Sequence, residues 1–322
     1  MRLVYFGSGD FSRDFLQRLL QGKQHIAATV TRPDRHGGRG RRLRPTPLKT
    51  LAEKVGLEVL QPASLEKENL EQALRKLDPD MVVVADYGDM LPDWLLRMPP
   101  KGCINVHPSL LPAYRGASPI RRAIMKGESC TGVTIILMDE GTDTGPIISQ
   151  REMAMDDWED AGALQDRLAE LAANLFIDTI PDFAAGLLEP SPQNEAGSSY
   201  APPLRKRELC IDWSRGNMDI HNQVRALSPV PGAHTNLRGR RIKIFRTIPQ
   251  TLTGGALPGE LVLGRGGELL AGTGTGYLRI ETLQPEGRKK ISASDFMRGY
   301  RPCEGERFEF DSGEDPGHDT RA

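Results

Sequence analysis

The 322-residue sequence has few cysteines, no long apolar run and no recognisable targeting segment. Its four cysteines are scattered without a CxxC pair, which argues against a disulfide scaffold or a zinc site and for thiols in a reducing compartment. No apolar run approaches the roughly 20 residues that a membrane helix needs. The N-terminus lacks the regions of a signal peptide. We therefore expect a cytoplasmic protein without a metal or a membrane association.

Positive charge is scarce in one part of the chain and abundant in another. Residues 1–204 carry 23 Lys/Arg against 28 Asp/Glu, whereas residues 205–310 carry 18 against 11. The last part, 311–322, is polar and acidic, which predicts a disordered tail. A basic C-terminal half is typical of proteins with a polyanionic partner, although an ordinary basic surface gives the same count.

The N-terminal half alternates runs of β-forming residues with helical periodicity. Strands are predicted at 2–6, 26–30, 81–85, 104–106 and 133–138, and helices at 10–21, 48–55, 65–77, 118–126 and 161–187. The alternation predicts an α/β domain with a Rossmann-like, mainly parallel sheet. Because ligands bind beyond the carboxyl ends of such strands, polar residues that follow them are candidates for a site.

The C-terminal half has a different texture. Four prolines lie in 189–203 together with Gly, Ser and Asn, which is typical of an extended linker. A helix at 218–227 is followed by short β-rich runs at 241–245, 259–263, 268–271 and 277–283, separated by glycine turns. This pattern predicts a small, OB-like β-barrel.

Three complementary polar residues follow predicted strands. Asn105 and His107 come after one strand, and Asp143 comes after the next. The fold rule places them at one edge of the sheet. The amide could donate to an oxyanion, the imidazole could transfer a proton, and the carboxylate could orient the imidazole. A histidine after a strand is more often structural, but the combination, without a GxSxG nucleophile motif, favours direct attack by a substrate nucleophile on a carbonyl.

The segments GCINVHPSLLPAYRGASPI (102–120) and TGVTIILMDEGTDTG (131–145) resemble the signature of the formyltransferases that use 10-formyltetrahydrofolate. The resemblance implies that Asn105, His107 and Asp143 are catalytic. It also implies that the folate is bound by SLLP, by the loop that begins at Asp86 and by the loop around Asp143. The residues concerned are Ser109, Leu110, Leu111, Pro112, Tyr87, Gly88, Met90, Leu91, Gly141 and Thr142.

The loop 31–47 holds six arginines in seventeen residues. Arginine pairs well with phosphates and base edges, although a solvated basic loop has the same composition. The loop resembles an insertion found in family members that formylate methionyl-initiator tRNA. The resemblance implies tRNA contacts by Arg35, Arg39, Arg41 and Arg42, with Arg205 and Lys206 added from the linker.

The C-terminal half resembles the tRNA-contacting barrel of the same family members, so the resemblance covers residues 2–310. It implies a catalytic domain at 1–188, a linker at 189–208, a barrel at 209–310 and a tail at 311–322. Two positions depart from the family's pattern. Gly7-Ser8-Gly9 replaces a Gly-Thr-Pro turn and is not a GxGxxG dinucleotide motif, and Pro203 replaces a linker lysine.

These observations predict a monomeric enzyme of translation initiation. It would transfer the formyl group of 10-formyltetrahydrofolate to the α-amino group of methionyl-initiator tRNA. The free amine would attack the formyl carbon, Asn105 and protonated His107 would stabilise the oxyanion, and Asp143 would orient His107. Two alternatives share the scaffold: a sugar-amine formyltransferase, which does not need the arginine loop, and a non-catalytic RNA-binding protein, which does not need the Asn-His-Asp set.

Overall fold

A computed structural model describes residues 1–37, 42–66, 68–251, 255–264 and 267–310. The chain divides into two compact units. The first consists of Met1–Pro119, Cys130–Met155 and Leu164–Pro202, and the second of Ile120–Ser129, Asp156–Ala163 and the chain from Pro203 onward. The predicted tail 311–322 lies outside the described residues.

The N-terminal half of the chain alternates strands with helices, as predicted. The strands are β1 (Leu3–Gly7), β2 (Ile26–Val30), β3 (Arg35–Gly37), β4 (Arg42–Arg44), β5 (Val59–Leu60), β6 (Met81–Ala85), β7 (Cys103–His107), β8 (Cys130–Leu137) and β9 (Ile147–Ala154). The helices are α1 (Asp10–Gln21), α2 (Pro47–Lys54), α3 (Glu68–Leu77), α4 (Asp93–Leu96), α5 (Pro119–Lys126) and α6 (Ala161–Ala184).

Seven of these strands form one sheet in the order β5-β2-β1-β6-β7-β8-β9. The pairs from β5 to β7 are parallel. The central strands β1 and β6 are buried along their whole length, which explains their continuous apolar sequences. Helices cover them through apolar stripes such as Phe11, Phe15 and Leu19 on α1. The predicted Rossmann-like, mainly parallel sheet is confirmed.

The strand direction at the far edge of the sheet differs from the one expected for the site of Asn105, His107 and Asp143. β8 runs antiparallel to β7, with Ile104 opposite Leu137 and His107 opposite Thr134. The end of β8 therefore lies beside the beginning of β7, and the expectation that both strands end at the same edge is wrong. Asp143 reaches Asn105 because the loop 138–146 folds back along β7 before β9 pairs with β8.

The second unit has an antiparallel sheet as its main element. Its strands are β10 (Ala233–Leu237), β11 (Arg240–Gln250), β12 (Leu261–Leu263), β13 (Leu269–Gly272), β14 (Tyr277–Pro285) and β15 (Ile291–Ser292), and its helices include α7 (Asn217–Ala226) and α8 (Ala293–Tyr300). The sheet order is β10-β11-β14-β13-β12, and β15 pairs with β14.

The two edges of this sheet are joined by the chain around Phe308. Asn236 of β10 exchanges backbone hydrogen bonds with Glu309, and Leu261 of β12 donates to the carbonyl of Glu306. Inside, the ring of Phe308 stacks on Trp213, with 5.2 Å between their centroids. The predicted C-terminal barrel is thus confirmed as an antiparallel sheet closed by its last segment, which satisfies the exposed edges that an open sheet would leave.

Within the described ranges, no helix combines the length and the apolar character needed to cross a bilayer.

His221 on α7 is a buried histidine of the second unit. Its Nδ1 lies 3.0 Å from Thr247 Oγ1 and its Nε2 lies 3.2 Å from the carbonyl oxygen of Asp157. Burial is the largest effect on this group and lowers its pKa from 6.5, and the nearby Arg225 acts in the same direction. The folded protein therefore holds His221 neutral at pH values where the unfolded chain protonates it.

This shift makes the unfolding free energy depend on pH. The contribution is fully present above pH 6.5 and is lost as the pH falls from there through the lower pKa of the folded state, since the unfolded chain binds the extra proton. Through this one group, the free energy of unfolding changes by at most about 1.4 kcal/mol per pH unit. The free energy of unfolding, measured by urea titration at pH values from 5 to 8, should change less steeply with pH in His221→Asn than in the wild type. The exposed His25, changed to Asn, is the control and should keep the wild-type slope. An unchanged slope in His221→Asn would contradict the assignment.

Candidate active site

The three polar residues of the predicted catalytic set come together in the first unit. Asn105 and His107 are two residues apart on β7, so both side chains project from the same face of the strand. Asp143 lies in the loop between β8 and β9, with a left-handed backbone at φ 55°. Asn and Asp tolerate this conformation better than most residues. Asn105 and Asp143, which are 38 positions apart in the sequence, thus lie in contact.

The carboxylate of Asp143 is held from two sides. Asn105 Nδ2 donates to Oδ1 at 2.8 Å, and the backbone N–H of Gly116 donates to Oδ2 at 2.8 Å. His107 Nδ1 lies 3.5 Å from Oδ2, which is an ion-pair distance rather than a hydrogen bond. These donors fix the direction of both carboxylate oxygens.

His107 is 4% exposed, and both of its ring nitrogens face protein oxygens. Nε2 lies 2.9 Å from the carbonyl oxygen of Tyr114, which can only accept, so Nε2 carries a proton and donates it. This bond assigns the tautomer and leaves Nδ1 facing Asp143. Protonation of Nδ1 would place an N–H between ring and carboxylate, so the two side chains can share a proton.

Asn105 brings the group best suited to polarise a carbonyl. Its amide has two N–H donors, of which one is directed at Asp143. That bond orients the amide and also distinguishes its nitrogen from its oxygen. An N–H held in this way can donate to negative charge that develops on an oxygen without reorganising first.

The predicted SLLP segment is supported by a buried hydrogen-bond network. Thr134 Oγ1 accepts from the backbone N–H of Leu111 at 3.0 Å and donates to the carbonyl of Ser109 at 2.7 Å. Gln150 Nε2 donates both to Thr134 Oγ1 and to the carbonyl of Leu111. Ser109 Oγ itself donates to the carbonyl of Ala113. Side chains of β8 and β9 therefore bind the backbone of this segment, while Leu110 and Pro112 are partly exposed.

The loop after β6 contains both core and surface residues. Tyr87 and Leu91 are buried, and the ring of Tyr87 packs edge-on against Phe6 at 5.3 Å. Burial raises the pKa of Tyr87 to about 12. Gly88 has φ 88°, a conformation that favours glycine, and its carbonyl accepts from Arg32. The exposed positions of this loop are Asp86, Gly88, Asp89 and Met90, of which Met90 has the one apolar side chain.

Met90 joins this loop to the one that carries Asp143. Its side chain is 53% exposed, and its sulfur accepts a hydrogen bond from Thr142 Oγ1 at 3.8 Å. Next to Thr142, the Gly141 N–H donates to Asp139 Oδ1, which also accepts from Thr144 Oγ1. The structure therefore brings two of the predicted folate-binding loops into contact.

Of the six predicted tRNA-contacting residues, Arg39 and Arg41 lie outside the described residues. Arg35 is exposed on β3, and Arg42 begins β4, so the arginine-rich loop contains a short antiparallel hairpin. Beside the hairpin, Asp34 pairs with Lys49 and accepts from Gln61. In the second unit, Arg205 and Lys206 are exposed at the start of a short 3-10 turn.

Several residues that shape the site carried no assignment from the sequence. Thr134 and Gln150 support SLLP, Gln193 contacts the loop of Asp143, and Arg115 contacts Gln193. Arg115 lies inside a recognised motif, but no pattern marked its side chain as buried. Gln193 is 50 residues from Asp143, so only the tertiary fold reveals its contact. Elsewhere in the described chain, no three His, Cys, Asp or Glu side chains cluster as a metal would require.

Comparison with known proteins defines the class to which this fold and site belong. The family model for formyl transferase matches residues 1–180, and the model for the formyl transferase C-terminal domain matches residues 203–301. The chain belongs to the formyl transferase family, and it is an enzyme of formyl transfer. The family predicted from the sequence is therefore confirmed.

Relatives that match nearly the whole chain come from one group within this family. Methionyl-tRNA formyltransferase of Pelobacter propionicus is 42% identical over 94% of this chain and 94% of its own length. Methionyl-tRNA formyltransferase of Carboxydothermus hydrogenoformans is 42% identical over 96% of this chain and 100% of its own. The relatives of this group thus share both units and the segment between them.

More distant solved structures share the fold. HypX from Aquifex aeolicus in complex with tetrahydrofolic acid matches with a TM-score of 0.66 at 18% identity, covering 92% of this chain and 47% of that one. This chain therefore spans about half the length of HypX. An N-formyltransferase from Helicobacter canadensis, in complex with folinic acid and dTDP-3-aminofucose, matches with a TM-score of 0.63 at 20% identity over 90% and 99%.

The network beneath SLLP predicts a stability effect at Thr134. Thr134→Val keeps the shape of the side chain but leaves the buried N–H of Leu111 and the carbonyl of Ser109 without this partner. We expect a loss of about 1–3 kcal/mol in the free energy of unfolding. Denaturant titration measures it, with the exposed Thr50→Val on α2 as a matched control. A cost equal to that of the control would show that the network contributes nothing.

Proposed function

We propose that this protein is a methionyl-tRNA formyltransferase, which transfers the formyl group of 10-formyltetrahydrofolate to the α-amino group of methionyl-initiator tRNA. The observation that carries the proposal is the contact of Asp143 with both Asn105, by a hydrogen bond, and His107, at an ion-pair distance, in a chain whose 42%-identical relatives bear that name over nearly their full length. The folate co-substrate supplies the formyl carbonyl, and the residues of this chain supply orientation, polarity and proton transfer.

Asn105 is proposed to polarise the formyl carbonyl. The bond from its Nδ2 to Asp143 holds the amide in place, and the second N–H can donate to the carbonyl oxygen as negative charge grows there. A protonated His107 on the same face of β7 adds positive charge beside this oxygen. Both effects are larger in the transition state than in the ground state, which is what accelerates the reaction.

His107 and Asp143 are proposed to manage the proton that the attacking amine loses. The imidazole is fixed by the carbonyl of Tyr114, and the carboxylate is fixed by Asn105 and Gly116, so the 3.5 Å gap between them is set by the fold. The amine can release its proton to this pair directly or through one water molecule as its bond to the formyl carbon forms. The bond between the formyl carbon and the folate nitrogen then breaks, and that nitrogen takes up the proton, so that tetrahydrofolate leaves.

The proposed folate site is built from three loops of the first unit. Ser109, Leu110, Leu111 and Pro112 would contact the folate along the segment that Thr134 supports. Tyr87, Gly88, Met90 and Leu91 would line it with backbone groups and the exposed Met90 side chain, and Gly141 and Thr142 would close it. The contact between Met90 and Thr142 supports a common site for the last two loops. The fit rests on exposed backbone groups and apolar side chains, as a flat heteroaromatic ring requires.

The proposed tRNA contacts are electrostatic. Arg35, Arg39, Arg41 and Arg42 would act from the arginine loop, and Arg205 and Lys206 from the start of the second unit. The excess of 18 Lys/Arg over 11 Asp/Glu in residues 205–310 supports a polyanion-binding role for the barrel. In this scheme residues 1–188 are the catalytic domain, 189–208 the linker and 209–310 the tRNA-binding domain.

We further propose that the enzyme acts as a cytoplasmic monomer without a membrane partner. Cytoplasmic translation initiation, where charged initiator tRNA is used, supports the location. Light scattering behind a sizing column tests the oligomeric state: a mass near 35.5 kDa agrees with the proposal, and twice that mass contradicts it.

A single assay tests the acceptor. The purified protein is incubated with 10-formyltetrahydrofolate and, in parallel, with methionyl-initiator tRNA or with nucleotide-linked amino sugars. We expect formylation of the charged tRNA alone. Formylation of a sugar would support the sugar-amine alternative, and folding and RNA binding without any transfer would support a non-catalytic RNA-binding protein.

Substitutions in the catalytic set test the mechanism. His107→Ala should lower kcat by roughly 10²–10⁴-fold through loss of proton transfer, and Asn105→Ala by roughly 10²–10³-fold through loss of an oxyanion donor. Asp143→Ala should act like His107→Ala. The exposed Asp93→Asn on α4 serves as the control and should keep wild-type kcat. Full activity in folded His107→Ala would refute the proposed mechanism.

The tRNA contacts are tested by charge and salt. Arg39→Ala and Arg205→Ala should raise KM for the charged tRNA and leave kcat with saturating tRNA near wild type, since these side chains would contact substrate far from the formyl group. The affinity for tRNA should fall steeply with salt, with a slope reduced by about one phosphate contact in each variant. Arg75→Ala on α3, where Arg75 pairs with Glu71 one turn away, is the control. A salt-independent affinity would contradict the assignment of both basic regions.

A further inference from the structure

The segment that follows α6, residues 189–202, returns across the first unit, and we name it the return segment. Ser191 exchanges two backbone hydrogen bonds with Ile147, at 2.7 and 2.8 Å. Further along, the Arg115 N–H donates to the carbonyl of Ser199, and the Ala201 N–H donates to the carbonyl of Arg115. A sequence with the composition of a linker is therefore fixed at two places, one on each side of Gln193.

Gln193 contacts the turn that carries Asp143. Its Nε2 donates to the carbonyl oxygens of Asp143 and Gly145, both at 2.8 Å. Asp143 has a left-handed backbone, a conformation that persists only where the surroundings hold it. The Gln193 amide thus binds the backbone of this turn, while Asn105 and Gly116 bind the Asp143 carboxylate.

The orientation of the Gln193 amide is fixed by Arg115. Arg115 is 2% exposed, and its Nη2 donates to Gln193 Oε1 at 2.7 Å. The same guanidinium donates to both carboxylate oxygens of Glu195, at 3.0 and 2.7 Å. With Oε1 assigned as the acceptor, Nε2 must face the two carbonyls. The buried guanidinium of Arg115 therefore bonds to both Gln193 and Glu195. Its bond to Oε1 determines that the Nε2 end of the Gln193 amide faces the turn of Asp143.

The neighbours of Arg115 connect this network to the other catalytic contacts. Tyr114 provides the carbonyl that accepts from His107, and Gly116 provides the N–H that donates to Asp143. The backbone of Tyr114 also donates to Ser199 Oγ in the return segment, at 2.9 Å. The return segment therefore supports both members of the His107–Asp143 pair, one through the loop 114–116 and the other through Gln193.

We propose that Gln193 is a positioning residue for catalysis: it holds Asp143 in its productive backbone conformation from the return segment and is itself oriented by Arg115. The proposal rests on the proposed role of Asp143 in formyl transfer. It predicts that loss of the Nε2 donor displaces the carboxylate relative to His107, and that the chemical step slows while binding of the charged tRNA is retained.

Two substitutions separate the donor from the bulk of the side chain. Gln193→Ala removes the amide, and Gln193→Glu keeps its shape and its acceptor for Arg115 but presents a carboxylate to the two carbonyls. A misplacement of about 1 Å can cost 10²-fold in rate, so we expect kcat to fall roughly 10- to 100-fold in both variants. KM for the charged tRNA should change less than about two-fold. Asn194→Ala, which removes only a local turn bond to Ala196, is the matched control and should keep wild-type kcat.

A double-mutant cycle distinguishes positioning of Asp143 from a general structural role. In an Asp143→Asn background, single-turnover rates with excess enzyme should be unchanged by Gln193→Ala, because its target is already disabled. An equal loss in both backgrounds, or wild-type kcat in Gln193→Glu, would overturn the proposal. These comparisons use whichever acceptor the wild-type protein formylates, so failure of wild type with charged tRNA contradicts the proposed function alone.

Discussion

The hydrogen bonds around the carboxylate of Asp143 are the constraint on which the site depends. A carboxylate at the wall of a buried site needs donors for both oxygens, and here an amide on β7 and a backbone N–H from the loop 114–116 provide them. Because the same carboxylate faces His107, the donors that satisfy it also set its distance from the imidazole. The hydrogen-bonding requirement of one partly buried carboxylate therefore fixes the geometry of all three proposed catalytic side chains.

The reversal of strand direction after β7 explains how this arrangement is reached. In the parallel part of the sheet, the central strands β1 and β6 are buried along their whole length and leave little room for polar side chains. β8 and β9 run antiparallel to their neighbours, so the connection 138–146 folds back and brings Asp143 alongside β7. Thr134 and Gln150, from these same two strands, satisfy the backbone of the segment after β7. The edge of the sheet thus serves as the support of the site.

The sequence predicted the elements whose signal is local. The apolar runs of β1 and β6 and the helical periodicity of α1 are visible because burial is encoded in consecutive residues. β9, with one face exposed in Ile147–Ala154, and the arginine-containing hairpin of β3 and β4 carry no comparable apolar signal and were not predicted. Asn105, His107 and Asp143 were predicted as a set from their residue types after strands and from the resemblance, but the expected clustering assumed a parallel β8. Strand direction depends on pairing between distant segments, which no local pattern specifies.

The contacts of Gln193 show the same dependence on tertiary structure in the last segment of the first unit. By composition, residues 189–203 are flexible, since proline, glycine and serine neither pack nor form helices well. Their order comes instead from partners already fixed by the sheet: Ile147 on β9, and Arg115, which follows β7. The main part of the second unit begins at Pro203, two residues after Ala201, which donates to the carbonyl of Arg115. The residues that lead into the second unit are therefore the same residues that brace the loop beside His107, and low-complexity composition here marks a segment that is ordered by tertiary contact.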